Sequence, residues 1–69
     1  MNLNYRRHVA IAQSGQNEFQ IILIGEYQES RESVEARALA KITHQQKLMV
    51  LQESTARKYF AKELNEFLF

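Results

Sequence analysis

A single polar cluster, Gln13-Ser14-Gly15-Gln16-Asn17, does more than any other stretch to limit the folds open to this chain. It divides residues 3–12 from residues 18–27, and both flanks carry β-branched and aromatic side chains with partial period-two alternation. Two such runs around a short polar break spell a β-hairpin. Loop length then sets which residues share a face, because slipping one strand by a single residue moves every side chain to the other side. A three-residue loop, Gln13-Ser14-Gly15 with Gly15 left-handed, places Val9 opposite Phe19 and Tyr5 opposite Leu23. The odd-numbered face then gathers the apolar residues Leu3, Tyr5, Val9, Ile11, Phe19, Ile21 and Leu23. A two-residue Gly15-Gln16 loop would pair Val9 with Ile22 and split the large side chains between faces, so the first arrangement is preferred.

After the hairpin, Gly25 and the polar run Gln28-Glu29-Ser30-Arg31-Glu32-Ser33 read as a strand end followed by a helix entrance. Ser30 or Ser33 can accept from the unpaired amides of a first turn, where Glu32 and Glu35 suit the positive end of the helix dipole. Val34, Ala38 and Ile42 recur every four residues, with Leu39 widening the stripe, and this stripe is expected to pack on the sheet. His44-Gln45-Gln46-Lys47 then reads as a loop, Leu48-Met49-Val50-Leu51 as a third strand, and Ser54 or Thr55 as the cap of a last helix over 55–68. That helix gathers Ala56, Phe60, Leu64 and Phe67 on one side, with Tyr59 and Leu68 at the margins.

The resulting expectation is one α+β domain over 1–69. It is a two-layer ββαβα arrangement, with a short antiparallel or mixed three-stranded sheet and two helices on one face. Residues 21–24 would hold the central position in that sheet. A β-hairpin followed by one or two long helices is the alternative, because Met49, Ala56, Phe60 and Phe67 stay roughly in phase with Val34.

Size matters to function here. A chain of 69 residues buries only about 60% of the surface its unfolded form exposes. Small domains are commonly reinforced by disulfides, metals or self-association. There is no cysteine, and only His8 and His44 could ligate a soft metal, so self-association is the reinforcement left and a homo-oligomer is expected. The longest aliphatic run, Ile21-Ile22-Leu23-Ile24, is far shorter than the ~20 residues that cross a bilayer. The first residues read as too short and too alternating for a secretory signal, so a cytoplasmic location is expected.

Chemistry is sparse. The chain has no aspartate and no cysteine, and it has no phosphate-binding glycine loop, metal-ligand motif or nucleophile elbow. Neither histidine has an acidic or serine partner at a catalytic spacing, so no enzyme activity, catalytic residue, metal or cofactor is expected. Nine Lys and Arg against eight glutamates leave a net charge of +1, too little to gather nucleic acid by field alone. A nucleic-acid surface would have to be local: Arg6 and Arg7 with Arg57, Lys58 and Lys62, and Tyr59 for stacking. Glu53, Glu63 and Glu66 flank that patch and weaken it.

A protein-contact surface is the stronger expectation. If two helices cover one sheet face, the even face, with Ala10, Ala12, Ile22 and Ile24 ringed by Arg6, His8, Glu18, Gln20 and Glu26, stays open to a partner or a second copy. The segment Leu64-Asn65-Glu66-Phe67-Leu68-Phe69 is a second candidate, with Phe67 and Phe69 as anchors for a partner's groove. These features imply a non-enzymatic protein-binding module, an inhibitor, adaptor or accessory subunit, with a small nucleic-acid-binding regulator as the alternative. In size, mixed fold and missing catalytic groups it resembles small phage or mobile-element proteins that inhibit host machinery, a likeness of style alone.

Overall fold

A computed structural model describes residues 7–69. Leu3, Tyr5 and Arg6 lie outside them. The order is β1 (His8–Gly15), β2 (Glu18–Ile24), α1 (Arg31–Leu39), β3 (Lys47–Gln52), α2 (Glu53–Tyr59) and α3 (Ala61–Leu68). The fold is α+β, with one three-stranded antiparallel sheet in the order β2-β1-β3. The third strand anticipated at Leu48-Met49-Val50-Leu51 is present as β3, and the long-helix alternative is excluded.

The central strand is β1, not the run at 21–24. Val9, Ala10, Ile11 and Ala12 are all fully buried, which requires cover on both sides of the sheet. Their alternation explains how that cover is achieved. Val9 and Ile11 meet Ile21, Ala56 and Leu64 beneath α2 and α3, while Ala10 meets Val34, Ala38 and Val50 beneath α1. Large residues therefore fill one interface, and small ones let α1 approach closely on the other.

This arrangement corrects the two-layer expectation: the helices do not share a face. Strands β2 and β3 are both antiparallel to β1 and lie on opposite sides of it, so they run parallel to each other. The β2-α1-β3 segment is thus a split β-α-β unit that must cross over β1, and α1 covers the face it crosses. The chain leaving β3 covers the other. A strict helix over 55–68 could not do so, because it would have to lie along β1 and also reach β2. The helix breaks at Phe60 (φ −132°, ψ 37°), with α2 on β3 and β1 and α3 on β2. Phe60 still donates to the Ala56 carbonyl at 2.7 Å, and its ring meets Phe19 edge-on at 5.1 Å. Neither Ser54 nor Thr55 caps α2; the helix starts directly after the strand at Gln52, and the Glu53 N–H donates to the Arg7 carbonyl at 2.8 Å.

Hairpin register differs from both sequence readings. Gln13 pairs with Phe19 and Ile11 with Ile21, around a two-residue Gln16-Asn17 turn, and no glycine takes a positive φ. The Gln13 side-chain amide donates to the Gly15 carbonyl at 3.1 Å and holds the turn. Odd-with-odd parity survives as far as Ile21. There the register shifts: Ala10 pairs with Leu23 and Val9 with Ile24, leaving Ile22 as the extra residue of a bulge. The bulge exchanges faces, so Leu23 joins the α1 interface and Ile24 the opposite one.

The first helix follows its local signals. Ser30 is the N-cap and accepts from the Ser33 N–H at 3.0 Å, and Val34 and Ala38 are the buried stripe. It ends at Leu39, earlier than the stripe implied, so Leu39 is exposed and Ile42 lies beyond the helix.

Candidate protein-binding surface

Where the open even face was expected, there is none. Ala10 and Ala12 are completely buried. Ile22 packs on the Ala10–Val34–Ala38–Val50 cluster, and Ile24 on the Val9–Ile11–Ile21–Ala56–Leu64 cluster. These four residues share no patch, because α1 occupies the site a partner would have taken and the bulge sends Ile24 to the other side.

The second candidate stands differently. Leu64 anchors α3 at 4% exposure, while Phe67 (46%), Leu68 (53%) and Phe69 (102%) project from the body. Helix α3 and strand β2 enclose a groove beside them. Ile21 and Phe67 line one part of it, with Gln20, Glu63 and Glu66, in a notch of about 280 Å³. That is slightly below the roughly 300–1,000 Å³ of small-molecule sites, and it suits one or two inserted side chains. A neighbouring hollow adds Phe19, Glu18 and Lys62. The groove therefore has a mostly polar lining, three glutamates against one lysine, with Phe19, Ile21 and Phe67 as its apolar members.

The basic residues do not assemble into a cationic field. Arg57 is paired with Glu53 at 2.7 Å, Lys62 shares its hollow with Glu18, Glu63 and Glu66, and Lys58 lies over its neighbour Tyr59 at 5.5 Å. Arg7 stacks over the Tyr27 ring at 4.0 Å, and its Nε is buried with no hydrogen-bond partner among the described residues. Arg6 is outside the described residues.

One polar constellation went unnoticed in the sequence. Glu29 accepts from Arg37 Nη2 (2.6 Å) and Nε (2.9 Å), from Ser33 Oγ (2.6 Å) and from the Glu26 N–H (2.9 Å). These donors, the Arg37 side chain foremost, hold the Glu29 carboxyl at about 2, well below the usual 4.5, and the pairing pushes Arg37 further up. His8 Nδ1–H donates to the Glu29 carbonyl at 3.2 Å. The signal was present as Glu29, Ser33 and Arg37 at intervals of four, which continues one helix face backward into the preceding loop. Its chemistry is positional: it clamps the segment after β2 onto α1. His44 is exposed in the connection after α1. Among the described residues, no group of three or more His, Cys, Asp or Glu side chains is placed to hold a metal ion, and no helix is long and apolar enough to cross a membrane.

No protein-family model, no curated protein and no solved structure matches this chain.

Proposed function

We propose that the chain is a cytoplasmic, non-enzymatic protein-binding module that self-associates and acts as an inhibitor, adaptor or accessory subunit by covering a surface of another protein. The observation that carries this reading is the exposed Phe67 and Leu68 beside the acid-walled groove between β2 and α3. Exposed aromatic and aliphatic side chains next to a notch are the usual centre of a contact surface, and a charged rim selects among partners. Glu18, Glu63 and Glu66 favour a partner with an apolar anchor flanked by lysine or arginine. The same carboxylates repel phosphate, which argues against a nucleic-acid partner at this surface.

Panning a random peptide library on the immobilised chain tests this. Enriched peptides are expected to carry an aromatic or aliphatic residue among basic ones and to lose binding to a Phe67→Ser, Glu63→Lys, Glu66→Lys variant whose far-ultraviolet circular dichroism is unchanged. Enrichment indifferent to those substitutions refutes the assignment of the surface.

A further inference from the structure

The break at Phe60 is not written in the residues around it. Sharp helix kinks are nearly always set by proline, glycine or a group inserted into the hydrogen-bond ladder, yet residues 53–68 contain neither proline nor glycine. Ala56, Phe60, Leu64 and Phe67 keep one apolar stripe across the break, as an uninterrupted helix would.

The hydrogen bonds show what the break leaves unmade. Phe60 N–H donates to the Ala56 carbonyl at 2.7 Å and Leu64 N–H to the Phe60 carbonyl at 2.9 Å, both at helical spacing. Between them, the amides of Ala61, Lys62 and Glu63 do not reach their helical partners, the carbonyls of Arg57, Lys58 and Tyr59. No side chain caps α3 in their place. Straightening the hinge satisfies all three. It also carries the eight residues of α3 about 12 Å beyond the hinge and off their own sheet.

Where such an arm would dock follows from the path of the two helices. Helix α2 starts after Gln52, which pairs with His8, and ends beside Phe60, whose ring meets Phe19 next to the hairpin turn. It therefore points out past the hairpin end of the sheet. Helix α3 starts at that end and runs inward along β2, since Phe67 shares a notch with Ile21. An arm leaving one copy at its hairpin end thus enters a second copy, turned about a two-fold axis, along the line α3 already follows.

We propose that α3 is exchanged between two copies: the hinge at Phe60 straightens, residues 53–68 become one helix, and α3 of each copy docks on β2 of the other. Leu64 then meets Val9, Ile11 and Ile21 of the second copy, so the apolar cluster is rebuilt from two chains. The groove becomes composite, with Gln20 and Ile21 from one chain and Glu63, Glu66 and Phe67 from the other. The turns brought together at the axis, Gln13-Ser14-Gly15-Gln16-Asn17, carry no charge and do not repel. One feature opposes the exchange: Lys58 and Lys62 stand one turn apart in a straight helix and repel each other. New hydrogen bonds exposed to water add little net stability, so the closed monomer dominates in dilute solution and the dimer forms on concentration.

The inference rests on the self-association part of the proposed function and not on peptide capture. After incubation at about 1 mM, where complexes of micromolar affinity are filled, size-exclusion chromatography with light scattering is expected to resolve a dimer. Ala61→Pro is the discriminating variant. Proline suits the first position of α3, whose amide is unpaired, but within a straight helix it removes a hydrogen bond and collides with the Arg57 carbonyl. Its monomer should keep the parent's circular dichroism while dimerisation falls at least about a hundredfold. Lys58→Glu turns repulsion across the hinge into attraction and should strengthen dimerisation about three- to tenfold. Because the chain has no cysteine, the exchange can be read directly. Chains carrying Gln20→Cys alone and Glu63→Cys alone, at positions lining one notch, should be joined to each other by a short bismaleimide after incubation together. A monomer at every concentration, a dimer indifferent to Ala61→Pro or weakened by Lys58→Glu, or a dimer in which those two chains are not joined would each overturn the proposal. A strict monomer that captures peptides sinks the exchange alone, and an exchanged dimer that captures none sinks the contact surface alone.

Discussion

Gly25→Ala tests the packing of α1 on the sheet most directly. Gly25 follows β2, and its N–H donates to the His8 carbonyl at 2.8 Å. A Cβ added there would lie 2.6 Å from Val34 Cγ2, and 3.2 Å from both the His8 carbonyl oxygen and Glu29 Oε1. Carbon atoms rest at about 3.5–4.0 Å, so something must retreat by roughly 1 Å. Val34 cannot turn aside, because it is fully buried and a β-branched residue in a helix has essentially one rotamer. The helix itself must move, loosening Val34 and Ala38 from Ala10 and Val50. Overpacking of this kind costs about 1–3 kcal/mol, against a total of roughly 3–10 kcal/mol for a domain of this size. Urea unfolding followed at 222 nm should register the loss as a lower midpoint with unchanged slope, and Tm should fall by about 4–8 °C per kcal/mol. The double variant with Val34→Ala supplies the decisive term. Removing Cγ2 relieves the clash, so the two losses should fall short of additivity by about 1 kcal/mol or more. Strict additivity, or a Gly25→Ala protein within about 0.5 kcal/mol of the parent, would refute the close approach.

Two further outcomes follow from the same geometry. Glu29 titrates at about 2 in the folded chain against an ordinary 4.5, so its stabilisation is fully present above about pH 4.5 and is lost as pH falls toward 2; carboxyl-carbon NMR should find this value rising toward 4.5 in Arg37→Met, with a shallower acid limb of stability in Glu29→Gln. Ala10→Glu should prevent folding at 25 °C by circular dichroism, because an unpaired charge would be driven under α1, whereas a folded Ala10→Glu protein would restore the open-face reading.

The candidate surface was legible only in part. Phe67 and Phe69 stand out in sequence as apolar residues near the end of an amphipathic stretch, and they remain exposed. Ala10, Ala12, Ile22 and Ile24 were misread because alternation shows that two faces exist, not what lies on them. That β2 is an edge and β1 the central strand could not be read, since being an edge is a property of strand order.

Local chemistry was enough to dictate the hairpin, a serine cap for the first helix and the Val34–Ala38 stripe, because each depends on residues close to one another in sequence. The order β2-β1-β3, the helices on opposite faces, the bulge at Ile22 and the break at Phe60 were decided only in three dimensions. Each depends on segments distant in sequence competing to cover β1, and that competition is settled by the volume available on each side of a strand that alternates large residues with alanine.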